Sequence, residues 1–177
     1  MSKIIKYVDY ENASADIKAA YDRQAAKNGG YVTNMKKTLL NNLASYKALM
    51  EWYPLRGEAL KFITEKEFAV FCHSISSEND CLLCSLFFRK ELSDLGYDLN
   101  NLKFSDRELL LEKYGRALVK DANNISKSLF DELKSVFTDE QIVVLTAFAS
   151  QMIATNLINK ALQIEVDDHL SPYLQRK

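Results

Sequence analysis

The sequence predicts an all-α protein folded as a single helical bundle. Three observations carry that prediction. Only five glycines and two prolines interrupt 177 residues, so turn formers are scarce. Apolar residues recur at helical rather than alternating spacing, and cap-forming residues stand just ahead of the apolar runs. The length suits one core. With no repeat and no linker, residues 1–177 read as one domain, its core over about 5–168 and a loosely held tail after Asp168.

The elements follow in order. A helix runs from about Ser14 to Lys27 and stops at Asn28, Gly29 and Gly30. "NMKKTLLNNLASYKALMEWYPLRG" holds a short helix and then a longer one across Leu43, Tyr46, Ala48, Leu49 and Trp52. Thr64 opens the next, whose apolar face is Phe68, Phe71, Cys72 and Ile75. "SEND" breaks it, and "CLLCSLFFRKELSDLG" continues from Cys81 to Leu95, ending at Gly96. Ser105 and Glu108 form a capping box ahead of "SDRELLLEKYGRALVKD", and Thr138 with Gln141 repeats the device before the long apolar run to about residue 161. Residues 126–136 form a further helix between these two. The count is about seven.

Composition excludes several classes. Net charge is −1, from 23 basic and 24 acidic residues well mixed along the chain, so no basic stripe marks nucleic acid or an anionic membrane as a partner. The N-terminus carries no apolar run of signal-peptide length, and no uninterrupted apolar stretch spans a bilayer. The expected location is cytoplasmic, where a C-x-x-C pair serves redox or metal chemistry more often than a structural disulfide. Gly29-Gly30 is a helix stop and not a phosphate loop, since no G-x-G-x-x-G or G-K-[ST] pattern surrounds it; no organic cofactor is expected.

Chemistry concentrates in "FCHSISSENDCLLC". Cys81 follows Ser77, Glu78, Asn79 and Asp80, residues that favour helix N-caps, which places Cys81 in a first helical turn and Cys84 one turn later. Unpaired N–H groups and the positive end of the helix dipole lower a thiol's pKa there. Only the thiolate attacks peroxides or disulfides, and the spacing allows the two sulfurs to close a small disulfide. Packing alone would also explain three buried thiols, since free cysteine is among the most buried residue types. A metal site of Cys72, His73, Cys81 and Cys84 is a third reading. It is disfavoured because adjacent Cys72 and His73 point about 100° apart on a helix.

"ITEKEFAVFCHSISSENDCLLC" resembles the core motif of the alkylhydroperoxidase D / carboxymuconolactone decarboxylase family, in particular its peroxidase-related branch, where an apolar helix leads into S-R-E-N-G-C-x-x-C. "GGYVTNMKKTLLNNLASYKALMEWY" is similar to the family's G-x-V-P-N-M segment, and residues 112–168 to its C-terminal half, with Asn156 and Asn159 on a late helix. The resemblance covers roughly residues 5–168. It implies an AhpD-like helical bundle built round a C-x-x-C-bearing hairpin and assembled as a homo-oligomer (dimer, trimer or hexamer). It further implies Cys84 attacking a hydroperoxide or disulfide substrate, Cys81 resolving the product to a disulfide, and a cellular dithiol as reductant.

The chain departs from that pattern at one point of chemistry. Family members relay protons through a Glu twelve residues before the first cysteine, a His four after the second and, in some, a His within the motif. Ala69, Phe88 and Leu83 occupy those positions here. General acid–base help is worth about 10² to 10⁴ in rate, so its loss leaves two outcomes. In the first, His73 replaces the relay: counting back from a hairpin turn near residues 78–79, it faces Cys84, and its imidazolium would lower that thiol's pKa. In the second, the chain is a redox-inactive scaffold or small-molecule-binding protein, supported by the apolar pairing of Ala69 with Phe88. Cys72 is expected in the core. Glu65 and Glu67 complement a helix dipole, Glu78 is cap and solvent, and His169 lies in a polar tail away from any chemistry.

Overall fold

The computed structural model describes residues 4–174. Among the described residues there are nine α-helices, one 3₁₀ helix and no strand, as the scarcity of turn formers predicts. They are α1 (Ala15–Lys27), α2 (Asn34–Leu39), α3 (Leu43–Met50), α4 (Pro54–Ala59), α5 (Glu65–Glu78), α6 (Leu82–Asp94), α7 (Asp106–Asp121), α8 (Lys127–Lys134), α9 (Asp139–Ala161) and a 3₁₀ turn (Asp168–Tyr173).

Capping chemistry sets where the main helices begin. Both predicted capping boxes form, Ser105 with Glu108 and Thr138 with Gln141, and a third joins Thr64 to Glu67 at the head of α5. Glu67 also accepts from Arg107 of α7, so one carboxylate caps α5 and ties it to its neighbour. At the other end of α1, Gly29 and Gly30 take φ of +60° and +92°, backbone that glycine adopts without penalty.

The main core forms where α5, α7, α8 and α9 meet, around Phe71, Ile75, Leu111, Tyr114, Leu133, Leu145 and Phe148. A second cluster of Ala20, Met35, Leu39, Leu40, Tyr46 and Leu49 joins α1, α2 and α3. α5 lies closest to α7, and Gly115 allows the approach: a Cβ there would sit 2.2 Å from Ser74 Oγ and 3.2 Å from the Phe71 carbonyl oxygen. α6 follows α5 through only Asn79, Asp80 and Cys81, with Asp80 in the left-handed region at φ +50°. The Cys81 N–H donates to the Ser76 carbonyl at 3.0 Å, closing the turn and delivering the C-x-x-C pair to the start of α6.

The bundle differs from the sequence reading at two places. The segment across Trp52 is two helices, because Pro54 opens α4 at its first position, where its fixed φ and missing N–H are tolerated. The tail is anchored, not loose. Leu170 is fully buried and Asp167 1% exposed, Asp167 accepts from the Tyr31 hydroxyl and from the Asn34 N–H, and Arg89 Nε donates to the Tyr173 carbonyl. Residues 175–177 lie outside the described residues. α9 is long and apolar enough by length and composition to cross a membrane; in the fold it is a core helix, burying Ile142, Leu145, Phe148, Ala149 and Met152.

Gly115→Ala is expected to lower stability by about 1–3 kcal/mol despite alanine's better helix propensity, because α5 must move. Urea denaturation measures this, and adding Ser74→Ala, which removes the nearest atom, is expected to recover part of the loss.

Candidate functional site

Cys81 is the N-cap of α6 rather than a residue of its first turn, with φ −100° and ψ 96°, and Cys84 stands at the third helical position. Both thiols are buried, at 1% and 5% exposure, and neither forms a disulfide. Cys84, but not Cys81, lines a cavity of about 500 Å³. Its walls come from α2, α4, α5, α6, α9 and the 3₁₀ turn, and they are mainly apolar around Cys84, with Phe68, Phe87, Phe88, Phe148 and Met152. All three positions where the proton relay was sought, Ala69, Leu83 and Phe88, line this cavity. No acid or base replaces them there, so the floor beside Cys84 is apolar.

The polar partner of the thiol comes from a different helix. Asn159 of α9, 3% exposed, donates from Nδ2 to Cys84 Sγ at 3.1 Å. The next residue, Lys160, donates from Nζ to the Asn79 carbonyl in the α5–α6 turn at 2.7 Å. The end of α9 thus clamps the C-x-x-C turn from one side.

These contacts divide the two thiols electrostatically. Cys81 is pulled down to about 7, chiefly by the neighbouring Cys84 thiol, and further by the Cys84 backbone N–H, the Asn159 amide and the Lys160 charge, against the cost of burial. The Cys84 N–H approaches the Cys81 sulfur without the geometry of a full capping hydrogen bond. Cys84 is pushed well up, first by its interaction with Cys81 and then by burial, with Asn159 opposing. When the pair loses its first proton, the charge falls on Cys81 at the helix cap, and Cys84, facing the cavity, stays protonated.

His73 does not join them. Its Nε2 lies 3.3 Å from Ser77 Oγ, one turn along its own helix, and no hydrogen bond links it to either thiol among the described residues. Burial holds its pKa down to about 4, helped by the charges of Arg89 and Arg116, so the imidazolium expected beside Cys84 does not form at neutral pH. Counting from the turn considers only two helices; the contact at Cys84 is made by a third. Cys72 is fully buried in the core, its thiol pushed well up by desolvation. Among the described residues no three His, Cys, Asp or Glu side chains converge as metal ligands. Glu78 pairs with Arg116 at 2.9 Å, and Glu65 with Arg56 at 2.6 Å.

Three cavity residues escaped the sequence reading. Tyr53, just ahead of α4, keeps 40% of its surface exposed, yet its phenol is pushed up to about 12, chiefly by desolvation. His169, in the anchored tail, lines the cavity and meets Tyr31 edge-on at 5.2 Å between ring centres. Lys36 also lines it, only 9% exposed. A signal for Lys36 existed, since it falls one turn before Leu40 on the face that buries Met35 and Leu39.

The helical bundle has the fold of the alkylhydroperoxidase AhpD core. The chain is similar to an uncharacterised peroxidase-related protein of that core from Ralstonia eutropha JMP134, with 15% identity, TM-score 0.76, and 95% of this chain and 94% of that one covered. It is similar to an uncharacterised peroxidase-related protein from Silicibacter sp. TM1040, with 15% identity, TM-score 0.74 and 93% of each chain covered. It is also similar to the debrominase Bmp8, with 18% identity, TM-score 0.73, and 98% and 97% covered. A cysteine-to-alanine variant of Bmp8, known in complex with 2,3,4-tribromopyrrole, matches equally well, with a TM-score of 0.73. No family model matches the sequence, and no curated protein matches it.

His73 supplies a pH prediction. With a pKa of about 4 folded and 6.5 as the ordinary value, only the unfolded chain takes up its proton between those limits. This contribution to stability is complete above pH 6.5 and is lost as pH falls toward 4, to the extent of ~3 kcal/mol at most. Chemical denaturation of wild type and His73→Gln over that range is expected to show a shallower decline in the variant.

Proposed function

We propose that the chain is a dithiol oxidoreductase in which Cys84 meets an electrophilic substrate, a hydroperoxide foremost, and Cys81 serves as both its base and its resolving thiol. The observation that carries this reading is the placement of two buried thiols at the head of α6 with only Cys84 facing the cavity; with the first charge drawn to Cys81, the pair would share one proton near neutral pH.

The steps balance without an outside relay. The Cys81 thiolate takes the proton of Cys84. The Cys84 sulfur then attacks the outer oxygen of R–O–O–H; the O–O bond breaks, and a sulfenic acid forms on Cys84. The departing alkoxide takes the proton back from Cys81 and leaves as an alcohol. Cys81, a thiolate again, attacks the Cys84 sulfur and expels hydroxide, giving the Cys81–Cys84 disulfide. Sulfur loses two electrons and the peroxide gains them. A cellular dithiol then reduces the disulfide by exchange. Asn159 supports the attack, since its Nδ2–H stabilises negative charge on Cys84. Its Oδ1, buried and without a hydrogen-bond partner among the described residues, is available to accept from the hydroperoxide O–H.

A second reading rests on the aromatic floor of the cavity and on the likeness to Bmp8: reductive removal of a halogen from an aromatic ring. Cys84 would take the halogen as a sulfenyl halide, the ring carbon would take a proton, and Cys81 would displace halide to give the same disulfide.

Reduced protein mixed with stoichiometric cumene hydroperoxide, followed by intact mass and mapped by digestion, is expected to lose two hydrogens at Cys81–Cys84. Cys81→Ser is expected to stop at a sulfenic acid on Cys84, and Asn159→Leu to slow the reaction by about tenfold or more. Formation of the disulfide with a bromopyrrole but not with the peroxide would favour the halogen reading. Inert thiols toward both would leave a ligand-binding scaffold.

A further inference from the structure

The cavity holds a cation that no acidic side chain among the described residues neutralises. Lys36 is buried on α2, and no carboxylate lies within ion-pair or hydrogen-bond reach of its Nζ among the described residues. Its Nζ lies over the Tyr53 ring, 5.2 Å from the ring centroid. Burial is the first cause that holds its pKa down, to about 8, and the second is repulsion from Lys27, another cation. Lysine is almost never buried unless paired. The other charged groups of the wall are engaged or aimed elsewhere. Arg56 pairs with Glu65, Lys90 pairs with Asp94, and Asp167 accepts from Tyr31 and Asn34. Glu91, the remaining carboxylate, is pushed up by burial and does not act on Lys36.

Lys36, Tyr53 and Cys84 line one cavity, and the Tyr53 ring carries Lys36 Nζ. Phe68, Phe87, Phe88, Phe148 and Met152 supply apolar surface to the same lining. A cavity of about 500 Å³ is the size that takes one small organic molecule. It presents a desolvated cation, a thiol and apolar surface to that molecule.

We infer that Lys36 is the anion-binding residue of this cavity, and that the substrate is a small apolar acid: its carboxylate or comparably acidic group pairs with Lys36, and its reactive centre lies at Cys84. The inference rests on the dithiol reading for the role of Cys84, whereas the ion pair at Lys36 stands apart from it. An anion here replaces no existing partner. In the folded protein the ammonium has already lost most of its water, so pairing with a carboxylate restores what burial removed.

The test separates binding from chemistry. Calorimetry compares 4-isopropylbenzoate, which has no oxidant, with its methyl ester, on wild type, Lys36→Met and Lys36→Arg. Wild type is expected to prefer the carboxylate by about tenfold or more, Lys36→Met to lose that preference while still binding the ester, and Lys36→Arg to keep it. Equal binding of acid and ester by wild type, or an undiminished preference in Lys36→Met, overturns the assignment. Stopped-flow oxidation by the matching hydroperoxide, cumene hydroperoxide carrying a para-carboxylate, then reports on the thiols. If the acid binds through Lys36 and the peroxide leaves Cys84 reduced, the dithiol reading fails and the anion site stands.

Discussion

Cys84 sits on an apolar floor, and the polar group that reaches it from outside its own helix is the Asn159 amide, 3.1 Å from the sulfur. Much of the site depends on that contact. It requires α9 to lie against the α5–α6 turn, which Lys160 secures through the Asn79 carbonyl, and it requires α5 to be fixed beneath, which Gly115 permits by letting α7 approach closely. With no acid or base at Ala69, Leu83 or Phe88, the amide and the helix cap are what make sulfur anions tolerable. Their effect is unequal: Cys81, at the cap, carries the charge, and Cys84, facing the cavity, keeps the proton.

Under the proposed dithiol reading, this inequality would answer the question that the missing relay poses. A peroxidatic thiol needs a base to leave its proton with and an acid to protonate the leaving group. A Glu and a His supply both in related proteins by resemblance; here a second thiol with a pKa near the ambient pH is fit for either task. Replacing Glu and His by Ala69 and Phe88 at once also avoids stranding a buried charge. The resulting floor is drier and more accommodating to an aromatic body, which fits both the peroxide and the halogen readings and places polar recognition elsewhere in the cavity.

Much of the bundle was legible because it is written locally. The capping boxes at Ser105 and Thr138 and the glycine stop after α1 are short-range signals, and they set the ends of three helices. The C-x-x-C at a helix start was legible for the same reason. What escaped depends on contacts between distant segments. The segment across Trp52 reads as one helix but Pro54 opens a second; the tail reads as polar but is held by Tyr31 and Asn34 through Asp167. His73 was placed opposite Cys84 by counting across two helices, when the partner is on α9, seventy-five residues further along the chain than Cys84. Lys36 was hidden by its type, since a lysine on a mixed helix is ordinarily solvated and only the assembled cavity shows that this one is not.

The central claim is that Cys81 and Cys84 share a single proton near neutral pH. Thiolate ultraviolet absorbance, followed across pH in reduced wild type and in the Cys81→Ser and Cys84→Ser variants, tests it most directly. The account predicts one thiolate appearing near pH 7 in wild type, and a transition displaced upward in both variants because each thiol has lost the other. A wild type showing no thiolate until the pH of an ordinary cysteine, about 8.5, or a Cys84→Ser variant that still titrates near 7, would contradict it.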